Sequence, residues 1–287
     1  MYLNLIKNKY IIILRRITIK ISEITCRQAI VKSNLPESDF VINPYIGCTH
    51  GCIYCYARFM KRFSNHEENW GDFIDVKINS PSTIPFAGSR YEQKRVFLSS
   101  VTDPYLSLEK KYKLTRSILE RLVPLSPDLS VQSKSVLLKR DIDVFQNFDK
   151  CTVGMTITSS YDGLRKEIEP YASPVEERIE TIKSFKKHGI DTHIFIGPVI
   201  PFFTDWKAIL EKTAKYTNFY YIENLNTRGS IKKDMLHWIR NNHKDKYEDF
   251  IYFLNNPDSW DEIEEEIKHY TNSNGIEARI CFHHGKR

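Results

Sequence analysis

Long apolar runs are missing from this 287-residue chain. The apolar stretch at residues 10–14 is cut by Arg15 and Arg16. A membrane-spanning helix needs roughly 20 apolar residues and a secretory signal core at least about 7. Neither is expected, so the sequence reads as a cytoplasmic protein with no membrane partner. Internal repeats and low-complexity tracts are also missing, which excludes solenoids and disordered linkers. Cysteine is scarce, at six residues. In a reducing compartment these argue for metal binding or catalysis rather than a disulfide framework. Charge of one sign is never concentrated. The 42 Lys+Arg against 36 Asp+Glu leave a net +6. The densest basic groups, Lys7 with Lys9 and then Lys110, Lys111 and Lys113, are too short for a nucleic-acid tail. The mild excess favours anionic partners such as nucleic acid, and equally suits an ordinary basic enzyme.

What is present is the composition of a folded protein, 41% hydrophobic and 27% charged. Short β-branched or aromatic runs at residues 40–45, 95–101, within 130–138, 152–158, 191–200 and 219–225 alternate with helical spacing. Leu114, Ile118, Leu119 and Leu122 share one stripe. Val175, Ile179, Ile182 and Phe185 form another, with Ser173 as N-cap, Pro174 in the first turn and Gly189 just past the end. The expected fold class is α/β, a partial (β/α)6 TIM-type barrel with its chemistry on loops at the C-terminal strand ends. The domain expectation is an N-terminal extension over 1–40, a core over 41–226 and a C-terminal extension over 227–287. The extensions would hold a β-rich stretch at 11–21, helices at 231–242 and 258–270, and a short strand at 277–282.

The stretch NPYIGCTHGCIYCYARFM, residues 43–60, holds a C-x3-C-x2-C spacing made by Cys48, Cys52 and Cys55. Thiolates suit iron–sulfur clusters or zinc. Three protein ligands leave one iron of a four-iron cluster open to a chelating cofactor. Gly47 and Gly51 let the backbone turn tightly, and Tyr54 is an aromatic placed to lie against an adenine. The competing reading is a zinc knot with His50 as fourth ligand.

With SSVTDPY (99–105), SKSVLLKRDID (133–143), GMTITSS (154–160), EPYASPVEER (169–178) and GPVIP (197–201), the chain resembles the spore photoproduct lyase-like branch of radical S-adenosylmethionine (SAM) proteins. The resemblance covers residues 24–201. It implies a [4Fe–4S] cluster on Cys48, Cys52 and Cys55. It also implies SAM contacts from Tyr54, Tyr56, Thr102, Lys134, Thr156 and Gly197, reductive cleavage of SAM to a 5′-deoxyadenosyl radical, and an external electron donor such as flavodoxin or ferredoxin. Beside those roles stand plainer ones: Lys134 as a solvated strand-end charge, Thr102 and Thr156 as locally bonded hydroxyls, Tyr56 as a packing ring. Glu169 and Arg178 read as a structural ion pair. Ser100, Asp103 and Tyr105 are the catalytic candidates, although Asp103 before Pro104 is equally a turn device.

One departure separates the chain from the lyase proper. That enzyme returns hydrogen to its product from a cysteine, and the matching position here is Ser100, whose O–H bond is too strong for the task. The resemblance implies a lyase-like repair reaction on DNA or another nucleic acid, with Ser100 setting the exact reaction apart; the alternative is modification of a protein or small metabolite. A reading of another class is a non-catalytic metal-bearing nucleic-acid module. Cys151 reads as core. Cys26, Cys281, His283 and His284 are open between a second metal site and a plain terminal strand.

Overall fold

The computed structural model describes residues 19–256, 258–282 and 284. Strands form where β-branched and aromatic residues cluster. They are β1 (Lys20–Ile24), β2 (Ile30–Lys32), β3 (Phe40–Ile42), β4 (Tyr45–Ile46), β5 (Phe73–Lys77), β6 (Arg95–Leu98), β7 (Asp128–Ser133), β8 (Lys150–Thr156), β9 (Asp191–Val199), β10 (Phe219–Asn224) and β11 (Ala278–Cys281). Eight of them make one sheet in the order β2-β3-β6-β7-β8-β9-β10-β11. All its pairings are parallel except β2 with β3. A smaller sheet, β1-β5-β4, stands beside it. The strand β5 has no counterpart in the sequence expectations. The expected β-rich stretch at 11–21 lies mostly outside the described residues.

Alternation sorts the large sheet into two faces. Leu129, Val131, Val153, Met155, Ile194, Ile196, Tyr220 and Ile222 are buried on one of them. The buried stripe of α1 (Leu114–Leu122), namely Leu114, Ile118, Leu119 and Leu122, belongs to the core, as does that of α2 (Val175–Lys187), namely Val175, Ile179, Ile182 and Phe185. The opposite face carries Gln132, Gly154, Thr156, His193, Gly197, Tyr221 and Glu223, and is more polar. Helices on one side and a polar concave face on the other are what a curled barrel sheet requires, unlike a doubly wound sheet with helices on both faces.

The barrel is open. Glu37, in the β2–β3 connection at one edge, reaches residues of the other edge. It accepts from the Tyr221 hydroxyl and lies 2.6 Å from Arg279 Nη1, which is itself 3.0 Å from Tyr221 Oη. Side chains thus close what backbone pairing leaves open.

The strands end sooner at their C-terminal ends than the β-rich runs in the sequence. Beyond Leu98, for example, the N–H groups of Ser100 and Val101 donate to the Asn43 side chain instead of to a ladder. Ser173 is not the cap of α2. Pro174 holds that position, and Asp162 accepts from the Val175 N–H at 2.9 Å, while the Ser173 hydroxyl accepts from the Val136 N–H. Gly189 does end the helix, at φ +76. Farther on, α3 (Ser230–Asn242) and α4 (Ser259–Ser273) match the expected helices, and β11 joins the core sheet beside β10. Between them Tyr247–Asn255 is a further helix. Its aromatic, helix-indifferent sequence gave no strong signal. No helix among the described residues is long and apolar enough to cross a membrane.

Candidate functional site

The cysteine loop leaves β3 and is strapped down along its length. At Gly47, φ is +94, and a Cβ there would sit 2.4 Å from the Phe73 carbonyl oxygen, so only glycine fits. The Thr102 hydroxyl donates to Gly47 O at 2.6 Å. Ile53 N–H donates to Ile168 O, and Tyr171 N–H to His50 O. Arg58 donates to the Ile53 carbonyl and to Asp234. The loop is therefore held from several elements before any ligand is bound.

His50 is already engaged. Its Nε2 lies 2.9 Å from Asp103 Oδ2, and its Nδ1 lies 3.3 Å from Tyr171 O. Asp103 also accepts from Ser133 Oγ at 2.7 Å, Lys134 N at 2.7 Å and Tyr105 N at 2.8 Å. Burial works against its charge, but the neighbouring His50 and these donors outweigh it and hold the carboxyl at about 2. Asp103 is thus both the turn device and a rivet between the cysteine loop and the end of β7. It has no spare capacity as a proton acceptor. Among the described residues no three His, Cys, Asp or Glu side chains converge on a single ion, and His50 is turned to Asp103. A mononuclear zinc knot therefore does not suit this loop.

The three thiols suit a larger, multi-iron ligand. All are free, with Cys52 buried and Cys48 and Cys55 half-buried. Burial pushes the Cys52 thiol up to about 12, with the Lys134 ammonium partly opposing, and raises Cys48 and Cys55 as well. Such thiols ionise when a cationic centre meets them, so metal binding here releases protons. The residues fit a [4Fe–4S] cluster.

Opposite the loop stands a wall of buried polar groups. The Tyr54 hydroxyl donates to the Glu169 carboxylate and lies 3.3 Å from Thr158 Oγ1, which donates to Gly197 O at 3.0 Å. Glu169 Oε2 is 2.6 Å from Arg178 Nη2, and both side chains are 1% exposed. Arg178 also donates to Thr156 O at 2.9 Å and Ser173 O at 2.7 Å. The Lys134 ammonium lies 5.7 Å from the Tyr54 ring centroid and makes no ion pair among the described residues. Burial disfavours its charge, yet Cys52 and Glu169 raise its pKa overall, so it stays an ammonium.

The remaining expected site residues divide. Thr156 Oγ1 is buried and accepts from Gln132 Nε2 at 3.1 Å. Gly197 lies in β9 at a crowded position, where a Cβ would fall 2.1 Å from the Phe195 ring. Tyr56 is half-exposed and donates to Ser100 O. The Ser100 hydroxyl accepts from Asn43 Nδ2 at 3.2 Å. Tyr105 is not at the mouth. It is fully buried and donates to Asp141 at 3.0 Å, because the Asp103 turn sends its ring inward.

Sequence reasoning did not anticipate Asn43, Thr158 or the pairing of His50 with Asp103. The only signal was their membership in the quoted motifs. Cys151 is half-buried in β8. Cys26 is bonded through its backbone to Asn79, whereas exposed Cys281 faces Glu223 across the β10–β11 register. Cys26 lies in the connection between β1 and β2, whereas Cys281 ends β11. His284 lies 3.0 Å from Glu223 Oε1, and His283 lies outside the described residues.

The radical SAM superfamily profile matches residues 42–212. An uncharacterized protein of Methanocaldococcus jannaschii is 38% identical over 230 residues, covering 80% of this chain and 86% of its own. In fold the chain is similar to a spore photoproduct lyase mutant solved with a dinucleoside spore photoproduct (TM-score 0.67, 14% identity, 91% of this chain and 82% of the other). It is also similar to Streptococcus suis SuiB bound to the precursor peptide SuiA (TM-score 0.51, 10% identity, 96% and 52%).

Proposed function

This chain belongs to the radical SAM superfamily, and from that premise we propose that it cleaves SAM reductively at a cluster held by Cys48, Cys52 and Cys55 and acts on a nucleic-acid substrate. The family implies the [4Fe–4S] cluster and SAM. A reduced cluster held by Cys48, Cys52 and Cys55 would supply one electron to the sulfonium of SAM, breaking its C5′–S bond to give methionine and a 5′-deoxyadenosyl radical that would take hydrogen from substrate.

The chain's own residues hold and orient. In this reading the Lys134 ammonium, without an ion-pair partner among the described residues, receives the SAM carboxylate, a charge-assisted contact. Tyr54, fixed by Glu169, walls the site on one side. Thr156 and the Gly197 backbone meet the nucleoside part, where the missing Cβ permits close approach. Thr102 braces the loop through Gly47 and does not need to reach the cofactor. Tyr56, tied to Ser100 O, stands between the cluster loop and the open mouth. Because Ser100 is a poor hydrogen donor, the fate of the substrate radical departs from the lyase's. The core is assigned to 41–226, the electron donor is a one-electron carrier such as flavodoxin or ferredoxin, and the oxygen-sensitive chemistry suits the cytoplasm.

The observation carrying the reading is the meeting of three free thiols with an unpaired ammonium across one buried polar site. The nucleic-acid part is supported by the net +6 and by the lyase likeness in fold. The test is anaerobic reconstitution with iron and sulfide, then dithionite and SAM. The intact chain should form 5′-deoxyadenosine and Cys52→Ala none. Lys134→Met should weaken SAM binding by about tenfold or more, the loss of a charged hydrogen bond of about 1.5–3 kcal/mol. A colourless chain holding stoichiometric zinc and forming no 5′-deoxyadenosine would sink the proposal.

A further inference from the structure

The segment just after Cys55, Tyr56–Phe63 (YARFMKRF), is a single 3-10 helix with three cations and no acid. Its apolar side is not packed away. Tyr56 is 48% exposed, Phe59 41% and Phe63 62%. Tyr56 and Phe59 are stacked, with centroids 6.5 Å apart and planes 29° apart. The Arg62 guanidinium lies 5.4 Å from the Phe59 centroid and 4.8 Å from that of Phe63. Of the cations, Arg58 is paired with Asp234. Lys61 donates to the Glu67 carbonyl oxygen, at 2.9 Å. Among the described residues neither Lys61 nor Arg62 has a carboxylate partner.

Rings left in water and cations left without acids call for one ligand that is both flat and anionic. We propose that this face is a stacking strip for the unpaired bases of a nucleic-acid strand, a proposal that deepens the nucleic-acid reading above and rests on it. Every base offers a π-face to an exposed ring, and Lys61 and Arg62 meet the phosphates between bases. The strip starts at the mouth, where Tyr56 is bonded to Ser100 O, and runs outward. A strand lying on it therefore presents one nucleotide to the concave face of the sheet. Duplex does not fit as well, because its bases hide their faces from the rings. An acidic peptide would use the cations and leave the rings bare.

The strip is tested without iron, by fluorescence anisotropy of a labelled single-stranded oligothymidine on the full-length chain. The double variant Phe59→Ala with Phe63→Ala should bind at least about tenfold more weakly, because two stacking platforms are lost. Phe63→Tyr, which keeps a ring, should bind as the parent does. Arg62→Glu should weaken binding and flatten its salt dependence by about one counterion. Because these side chains are exposed, thermal melting should show all variants folded. Equal binding by the ring variants overturns the proposal. So does binding of phosphatidylglycerol vesicles or polyglutamate in place of the oligonucleotide. Formation of 5′-deoxyadenosine is measured separately, so failure of the strip and failure of the catalytic reading are told apart.

Discussion

Arg178 is the bulkiest side chain that the fold hides almost completely. A guanidinium in such a place survives only if its charge is paired and its nitrogens are engaged. Glu169, Thr156 O and Ser173 O meet them. Burial disfavours the Glu169 charge, but Arg178, then Lys134 and Tyr54, hold its carboxyl below the usual range. The pair keeps Tyr54 and the end of β8 in place, so its role is positional. Arg178→Met leaves a buried carboxylate uncompensated and should lower unfolding stability by about 3–5 kcal/mol in urea titrations. A loss below about 1 kcal/mol would mean that the pair is not structural. Its existence was legible from the motif. Its contact with Tyr54 was not, because the partners are 115 residues apart.

Strands β8 and β9 are locked by an exchange of size. The His193 ring occupies the space beside Gly154, where a Cβ would fall 2.0 Å from its Nε2. Gly154→Ala should therefore overpack the face and cost about 1–3 kcal/mol. Burial, aided by the Arg279 charge, lowers the His193 pKa to about 3. The fold thus prefers neutral histidine, whereas the unfolded chain takes up a proton near pH 6.5. This contribution is complete above about pH 6.5 and is lost as the pH falls toward 3, by up to about 1.4 kcal/mol per pH unit. Between pH 6.5 and 5 the stability of the chain should fall, and His193→Gln should flatten that slope. A parallel slope in the variant would show that other groups cause it.

At the scale of the whole molecule, the question is what closes an open sheet. Glu37 joins edges that lie 184 and 242 residues apart in sequence. The Glu37–Arg279 pair is half-exposed on both sides, so its contribution to stability is small, about 1 kcal/mol or less. Its effect is local. Glu37→Ala should leave the melting temperature nearly unchanged and speed amide exchange in β11. Unchanged exchange at Ala278–Cys281 would mean that the contact plays no part in closure.

The local pattern alone determined the six core strands, the two amphipathic stripes and the three thiols, because periodicity and ligand spacing are properties of neighbours in the chain. It also separated a redox centre from a disulfide framework. Only tertiary structure decided that His50 turns to Asp103, that Tyr105 points inward, that Lys134 has no ion-pair partner among the described residues and that Glu37 spans the sheet edges. Each of these depends on which distant backbone arrives beside which side chain. That is set by burial and by the saturation of polar groups across the whole fold, which no short window of residues encodes.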